Sequence, residues 1–584
     1  MLARSRLDAA LAAATSALLA ELGSDGHWTG ELSSSALSTA TAVVALAEVD
    51  GQRHADLIAG GLRWLAEHAN ADGGWGDTIK SKSNISTTAL GWAAFGAMQA
   101  DQEFPAVVEG AAAWLRSAAG SLGALVPAIE RRYGKDRTFS VPILLTLALS
   151  GRLGASGWRH VRPLPFELAA LPHQLFGALQ LPVVSYALPA LIALGQTIEH
   201  HHPTRNPLTS LLRKATKSNT LNLLARIQPE NGGFLEATPL TSFVTMSLAS
   251  MRLAAHPVAQ KGAAFLRAGV LPDGSWPIDT NLATWVTTLA IKALEPQPAA
   301  LSPGQKETLR AWLLGQQYLV EHPYTHAAPG GWAWTNLPGG VPDADDTPGA
   351  LLALTQLGVS DSTARTAARD GCRWLRELQN RDGGIPTFCH GWGALPFDRS
   401  SPDLTAHTLR AWSTWQPHLP TDDRRKLDFA SRLATHYLAR VQRPDGSWLP
   451  LWFGNEHAPD DENPLYGTAH VVLALREIDT RSREMLRRGI AWLGGAQNAD
   501  GGWGGVKGAP SSVEETALAV EALAGTKEKD AVEAGVWWLV ERVESGAWRE
   551  PAPIGFYFAK LWYYERLYPL IFTVGALGKA AALR

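Results

Sequence analysis

The stretch Gln497-Asn498-Ala499-Asp500-Gly501-Gly502-Trp503 follows Trp492-Leu493, and about a dozen residues later comes the apolar run Thr516 to Leu523 (TALAVEAL). An apolar helical stretch ends at a polar Asp-Gly turn, and a second helix begins beyond it. The glycine supplies the left-handed conformation that stops the first helix, and the Trp lays a large flat apolar face back over that helix end. The unit is therefore helix, turn, helix, with a mainly structural Trp.

The unit recurs. Trp64-Leu65 precedes Asp72-Gly73-Gly74-Trp75, Phe265-Leu266 precedes Asp273-Gly274-Ser275-Trp276, and Trp374-Leu375 precedes Gln379 to Ile385. Tyr437-Leu438 leads to Gln442 to Trp448, and Trp538-Leu539 to Gly546-Ala547-Trp548; weaker copies end at Trp28, Phe234 and Trp332. Helical hairpins that cannot bury both faces alone must stack, as an open solenoid or a closed ring. Almost no alternating β pattern occurs, and 584 residues exceed what one core usually supports. The expected fold is all-α, with two rings of helix pairs around an apolar interior. Residues 1–23 read as an N-terminal helix packing on the second ring, residues 24–270 as the first ring and residues 271–584 as the second.

Composition narrows the function. With a net charge of −3 and no long Lys/Arg block, nothing attracts a phosphate backbone, which argues against nucleic acid. Cys372 and Cys389 are the only cysteines, too few for a disulfide framework or a structural zinc site, and they suit a reducing compartment. Arg4 and Arg6 before an Ala-rich stretch imitate a signal peptide, but that stretch runs directly into the copy ending at Trp28. No Asp, Glu, Lys or Arg lies between Glu167 and Glu199, yet Pro172, Pro182 and Pro189 interrupt the run. Buried helices or a membrane-dipping surface fit it better than a span. Residues 201–222 read as a surface connection or a lipid-facing amphipathic piece.

Chemistry concentrates in Pro342-Asp343-Ala344-Asp345-Asp346-Thr347-Pro348, just before the apolar run Gly349 to Leu357. A generic Asp-rich turn caps a helix. Three carboxylates within four residues cannot all ionise cheaply, so at least one should keep its proton near neutral pH. A retained proton is what alkene protonation requires, although the helix dipole pulls towards ionisation. Asp403 and His407 lie four apart on one helix face, where a cationic His407 would donate a hydrogen bond and sharpen the acidity of Asp345. Aromatic faces stabilise carbocations without attacking them. Outside the repeat positions the candidates are Trp285, Trp334, Phe388, Trp452, Phe556, Tyr557, Phe558, Trp562, Tyr563 and Tyr564.

These Trp-ending repeats resemble the QW motifs, and Asp343 to Thr347 resembles the Asp-x-Asp-Asp-Thr acid motif, of squalene–hopene cyclases and their oxidosqualene cyclase relatives. The resemblance covers nearly the whole chain. It implies two α/α barrels enclosing an apolar cavity, no cofactor or metal, and a peripheral enzyme on the cytoplasmic side of a bacterial membrane that takes a squalene-like polyprenyl substrate from lipid; a homodimer is one assembly to expect. It makes Asp345 the proton donor with Asp343 and Asp346 beside it, and Asp403 and His407 the support of that acid. It places Trp285, Trp334 and Trp452 on the cavity wall, with Tyr466-Gly467-Thr468 beside Trp452. Departures are Tyr186 for a family Trp, Phe388 for a Tyr, Leu561 for one of two cavity Tyr residues (Tyr564 keeping the other), Leu451 for an Arg, and Pro348 for an Ala. Thr39, Ala40 and Thr41 stand where the family carries a Glu. Residues 455–462 look inserted, and Asp460-Asp461-Glu462 reads there as a solvated loop.

Cyclisation of a prenyl diphosphate is the alternative that uses the same acid, and it predicts a basic pocket and Mg²⁺ dependence. A protein prenyltransferase-like subunit would need an Asp-x-Cys zinc site that neither cysteine provides. A non-catalytic helical-ring binding module leaves the acidic triplet without a reason.

Overall fold

A computed structural model describes residues 4–134, 137–172, 175, 183–358, 362–390, 396–478, 483–556, 558 and 560–583. Two closed rings of helices account for nearly all of them. In the first, Ala36–Asp50, Ile85–Ala97, Arg137–Leu149, Val183–His201 and Thr238–Leu248 form the inner circle, each touching the next and the last touching the first. In the second, Ala283–Ala293, Asp346–Leu357, Pro402–Trp415, Pro464–Glu477, Val513–Leu523 and Tyr568–Ala582 close in the same way. Inner helices are buried on every face, as Ala36 to Leu46 shows with each residue buried. Outer helices carry a single apolar stripe: Ser362–Leu378 buries Ala364, Ala367, Ala368, Gly371, Cys372, Trp374, Leu375 and Leu378.

The repeat residues stitch neighbouring units together. Six repeat Trp residues donate the indole N–H to a leucine carbonyl of the preceding outer helix, as in Trp75 to Leu65 (2.9 Å), Trp448 to Leu438 (2.8 Å) and Trp503 to Leu493 (2.8 Å). The Trp backbone N–H goes to a threonine hydroxyl on the next inner helix, as in Trp75 to Thr88 (3.0 Å) and Trp503 to Thr516 (2.9 Å). The repeat Gln spans to the following outer helix, with Gln497 donating to the carbonyls of Gly501 (2.8 Å) and Ala531 (2.9 Å). The repeat Asp accepts the indole N–H of the following unit, Trp538 to Asp500 at 3.0 Å. At Gly501 φ is +87°, and a Cβ there would lie 3.2 Å from the Ala534 carbonyl, so the turn needs glycine for both dihedral and space.

The N-terminal boundary differs from the sequence expectation. Trp28 donates its indole N–H to Leu18 and its backbone N–H to Thr287, so residues up to Trp28 complete the second ring, not the first. The helix Arg4–Ala20 packs on Tyr568–Ala582 and Lys529–Ser545, filling the outer position between the last and first inner helices. The first ring is closed instead by Trp276, whose backbone N–H reaches Thr39 at 3.0 Å while Ser34–Ser35 pairs with Trp276–Pro277. A further correction concerns Asp460-Asp461-Glu462. Asp461 pairs with Arg132 of the first ring at 2.7 Å, Glu462 with Arg443 at 2.6 Å, and Lys82 donates its backbone N–H to Glu456 at 2.9 Å. The segment is a bridge between rings, because first-ring basic residues face it.

Candidate active site

The acid turn enters the inner helix Asp346–Leu357 between two anchored strands of chain. Asp343 donates its backbone N–H to Trp332 (3.0 Å) and Ala344 donates to Thr387 (2.9 Å). Asp343 Oδ1 then accepts the backbone N–H groups of both Asp345 and Asp346 at 2.8 Å. The capping role therefore falls to Asp343. Asp345 occupies the N-cap position with helical φ and ψ of −91° and −50°, and its side chain makes no capping bond. Asp343 and Asp346 are 3% exposed, whereas Asp345 keeps accessible surface.

Thr347 of the acid motif is itself a repeat threonine, accepting the Trp332 backbone N–H at 3.0 Å. Counting two residues back from the repeat threonine of successive inner helices gives Trp285, Asp345, Asp403, Tyr466 and Glu514, ahead of Thr287, Thr347, Thr405, Thr468 and Thr516. Equivalent positions on adjacent inner helices form a collar at one mouth of the second ring. Two tyrosines join it: Trp285 donates its indole N–H to the Tyr568 hydroxyl (2.9 Å), and the Tyr563 and Tyr568 hydroxyls lie 2.6 Å apart. Internal register along the Thr positions was the sequence signal for Glu514, which motif reading did not single out, whereas Tyr466 was quoted only within Tyr466-Gly467-Thr468.

Electrostatics set the protonation. Burial pushes the Asp345 carboxyl well above the usual carboxylate range, and the like charges of Asp403 and Asp343 push it further. Asp346 is raised by burial and by Asp343 and Asp345. Asp343 is raised by burial too, but its two N–H donors make it the more readily ionised of that pair. Asp403 is pushed up to about 6 by burial, opposed by a hydrogen bond from Ser401.

His407 departs from its expected role. It makes no hydrogen bond to Asp403 or Asp345 among the described residues, and its ring packs beside Gly349, where an added Cβ would lie 3.7 Å away. Burial depresses its pKa well below 6.5, and Arg410, His470 and Lys292 depress it further. The reason is layering. His407 and His470 sit two residues after their threonines, and one turn deeper lie Lys292, Arg410 and Glu521, with Arg410 clamped on Glu477 at 2.6 and 2.7 Å and Lys292 3.5 Å from Glu521. Burial with Arg410 and Lys292 nearby favours the neutral imidazole at His407 over the charged donor expected from the sequence.

Trp334, Phe388 and Trp452 come together: the Phe388 ring centroid lies 6.4 Å from Trp334 and 5.5 Å from Trp452. Phe397 and Phe558 complete the cluster, at 6.1 Å from Phe388 and 4.8 Å from Trp452 respectively. Sequence reasoning missed Phe397. Trp334 is tied to the collar, its carbonyl accepting the N–H groups of Thr284 and Trp285 at 3.0 and 3.1 Å. Trp452 hydrogen-bonds the Thr387 hydroxyl through its indole.

In the ribbon Ile554–Phe556 and Leu561–Tyr563, Leu561 is buried and Phe556 stacks edge-on against Tyr563 at 4.9 Å. Tyr563, not Tyr564, is joined through the Tyr568 hydroxyl to Trp285 beside the acid. Tyr564 points the other way, with the Lys80 ammonium 5.6 Å from its ring, because successive strand side chains alternate. The Tyr186 side chain and Tyr557 lie outside the described residues. Among the described residues, no three His, Cys, Asp or Glu side chains converge as a metal-ligand set, and both cysteines are free and buried.

A proton-holding aspartate at the mouth of one ring in a double α/α barrel is the arrangement of class II terpene cyclases. The chain belongs to the squalene–hopene cyclase family: the pattern of the squalene-hopene cyclase C-terminal domain matches residues 281–582, and that of the N-terminal domain residues 11–194. It is 31% identical over 413 residues to the squalene–hopene cyclase of Alicyclobacillus acidocaldarius, covering 63% of this chain and 61% of that protein. It is 31% identical over 264 residues to the drimenyl diphosphate synthase of Streptomyces showdoensis, covering 43% of this chain and 42% of that protein. These matches span less than two thirds of either relative. Among solved structures, the ent-copalyl diphosphate synthase from Streptomyces platensis has the same fold, with a TM-score of 0.58, 20% identity and 99% of each chain covered.

Proposed function

We propose that this protein cyclises squalene or a related polyprenyl hydrocarbon by protonating a terminal double bond from Asp345. The observation that carries the reading is the division of labour in the acid turn: Asp343 caps the helix, so Asp345 is free of capping and holds its proton against two like charges. The aromatic cluster of Trp334, Phe388, Trp452, Phe397 and Phe558 offers ring faces to the cations that follow ring closure. Kinship with a squalene–hopene cyclase supports a hydrocarbon substrate.

Docking of the first ring on a lipid surface is part of the proposal. No helix of the described residues is long and apolar enough to cross a membrane. Leu168, Leu171, Leu175, Leu208, Leu211 and Leu212 are nevertheless exposed around Arg213, which is buried on Glu167 and Glu199 at 3.1 and 2.6 Å. Exposed leucines on and beside the touching segments Phe166–Ala170 and Pro207–Ile227 suit shallow insertion into a bilayer.

Kinship with a drimenyl diphosphate synthase favours a second reading, cyclisation of a prenyl diphosphate. Purified enzyme incubated in detergent with squalene, 2,3-oxidosqualene and geranylgeranyl diphosphate, with and without EDTA, separates the two. EDTA-insensitive cyclisation of squalene is expected, and EDTA-sensitive turnover of the diphosphate alone rejects it. Asp345→Asn is expected to abolish cyclisation while leaving the circular dichroism spectrum unchanged; near-normal activity removes Asp345 from its role.

A further inference from the structure

Glu514 is the collar member that the acid chemistry leaves unused. It lies at the start of the inner helix Val513–Leu523, is 7% exposed, and lines a cavity of about 670 Å³. The cavity has two ends. Its inner wall includes Trp285, Tyr466 and Tyr568, and its outer rim includes Lys80, Arg542 and Glu550. Lys80 and Glu550 close on each other at 2.6 Å at that rim. Tyr466 stands between Glu514 and the acid in collar order, and Asp345 and Asp403 both raise its pKa.

The two adjacent glutamates have opposite surroundings. Glu515 is held by Asn455 (2.8 Å), Asn463 (3.0 Å) and Ser512 (3.0 Å), which is a structural arrangement. Glu514 accepts one bond through Oε1, from the Ala552 N–H at 3.1 Å, and its buried Oε2 has no partner. An unpaired buried carboxyl oxygen beside a cavity is costly unless water or a proton serves it.

Resting on the proposed function, we propose that Glu514 is the proton inlet of the acid, passing protons from solvent through water in this cavity and past Tyr466 to Asp345 after each turnover. The balance is simple. Asp345 gives its proton to an alkene carbon, and the π pair of the double bond forms the new C–H bond. The final cation returns a proton to water, and the Asp345 carboxylate takes one back through the cavity from the Glu514 carboxyl, which solvent reprotonates. Burial raises Glu514 to about 7, with Glu515 adding to it and the Ala552 amide and Lys80 opposing, so the carboxyl both gives and takes a proton near neutral pH.

The test separates the first turnover from later ones. Enzyme that starts with Asp345 protonated needs no inlet for its first cycle. In rapid-quench assays with squalene, or with geranylgeranyl diphosphate if only that is consumed, Glu514→Gln should complete one equivalent at the wild-type rate and then slow by at least about tenfold. Glu514→Asp should restore the later turnovers. Equal slowing of first and later turnovers marks a merely structural residue and overturns the inlet, as does no slowing at all. Undiminished turnover by Asp345→Asn instead overturns the proposed function. If no substrate is consumed, infrared spectroscopy on mixing with D₂O still decides: the carboxylic C=O band lost in Asp345→Asn should shift more slowly in Glu514→Gln than in wild type, and equal rates refute the inlet.

Discussion

Asp343 and Asp345 are two residues apart on one turn, and the backbone assigns them opposite tasks. Asp343 accepts two N–H groups, which favours its ionised form, while Asp345 receives none and sits among like charges. The Asp403 charge is one of those that hold the proton on Asp345, so Asp403→Asn should let Asp345 ionise at lower pH. The alkaline limb of the pH–rate profile should then move towards acid, and an unmoved limb disproves the coupling. The spacing of the acid motif made a retained proton legible before any coordinates, and the family resemblance assigned it to Asp345. The surroundings of His407 were only partly legible, because Arg410 lies three residues on along the same helix whereas His470 and Lys292 come from other helices. Tyr563 stood among the aromatic candidates, but its hydroxyl contact with Tyr568 is known only from the folded ribbon.

On eight of the inner helices a single threonine sets register at the scale of the element. Its hydroxyl accepts the N–H of the preceding aromatic or aliphatic residue at Trp75, Phe234, Trp332, Ile385, Trp448 and Trp503. Thr516→Val keeps the shape but leaves the buried Trp503 N–H without an acceptor, which should destabilise the protein by about 1–3 kcal/mol in denaturant titrations. A loss within error rules out the bond as a register device. Helices, turns and the structural role of Trp were readable from the repeat, since glycine and aromatic chemistry are local. The threonine partner lay about a dozen residues away and went unread, and with it the collar.

Ring closure belongs to the whole molecule. The second ring is completed by the helix Arg4–Ala20, and Trp28, fully buried between Leu18 and Thr287, fastens it. Trp28→Ala should therefore cost about 3–5 kcal/mol and should destabilise the second ring, seen as earlier proteolysis around Tyr568–Ala582; preferential loss of the first ring contradicts the closure described. At the other end of the molecule, Leu208→Ser with Leu211→Ser should weaken cosedimentation with phosphatidylcholine vesicles by at least about tenfold, since each leucine contributes about 1.5–3 kcal/mol when buried. Unchanged binding refutes docking through this face.

What the chain determined by itself is everything that local chemistry carries: an all-α fold, its helix–turn–helix unit, the presence of two rings and an acidic turn able to keep a proton. Tertiary structure alone decided that the copy ending at Trp28 closes the second ring instead of opening the first, that Glu514 joins Asp345 at the collar, and that the surroundings of His407 favour its neutral form. Those outcomes depend on the field and packing of residues hundreds of positions apart, and such distances exist only once the rings have closed.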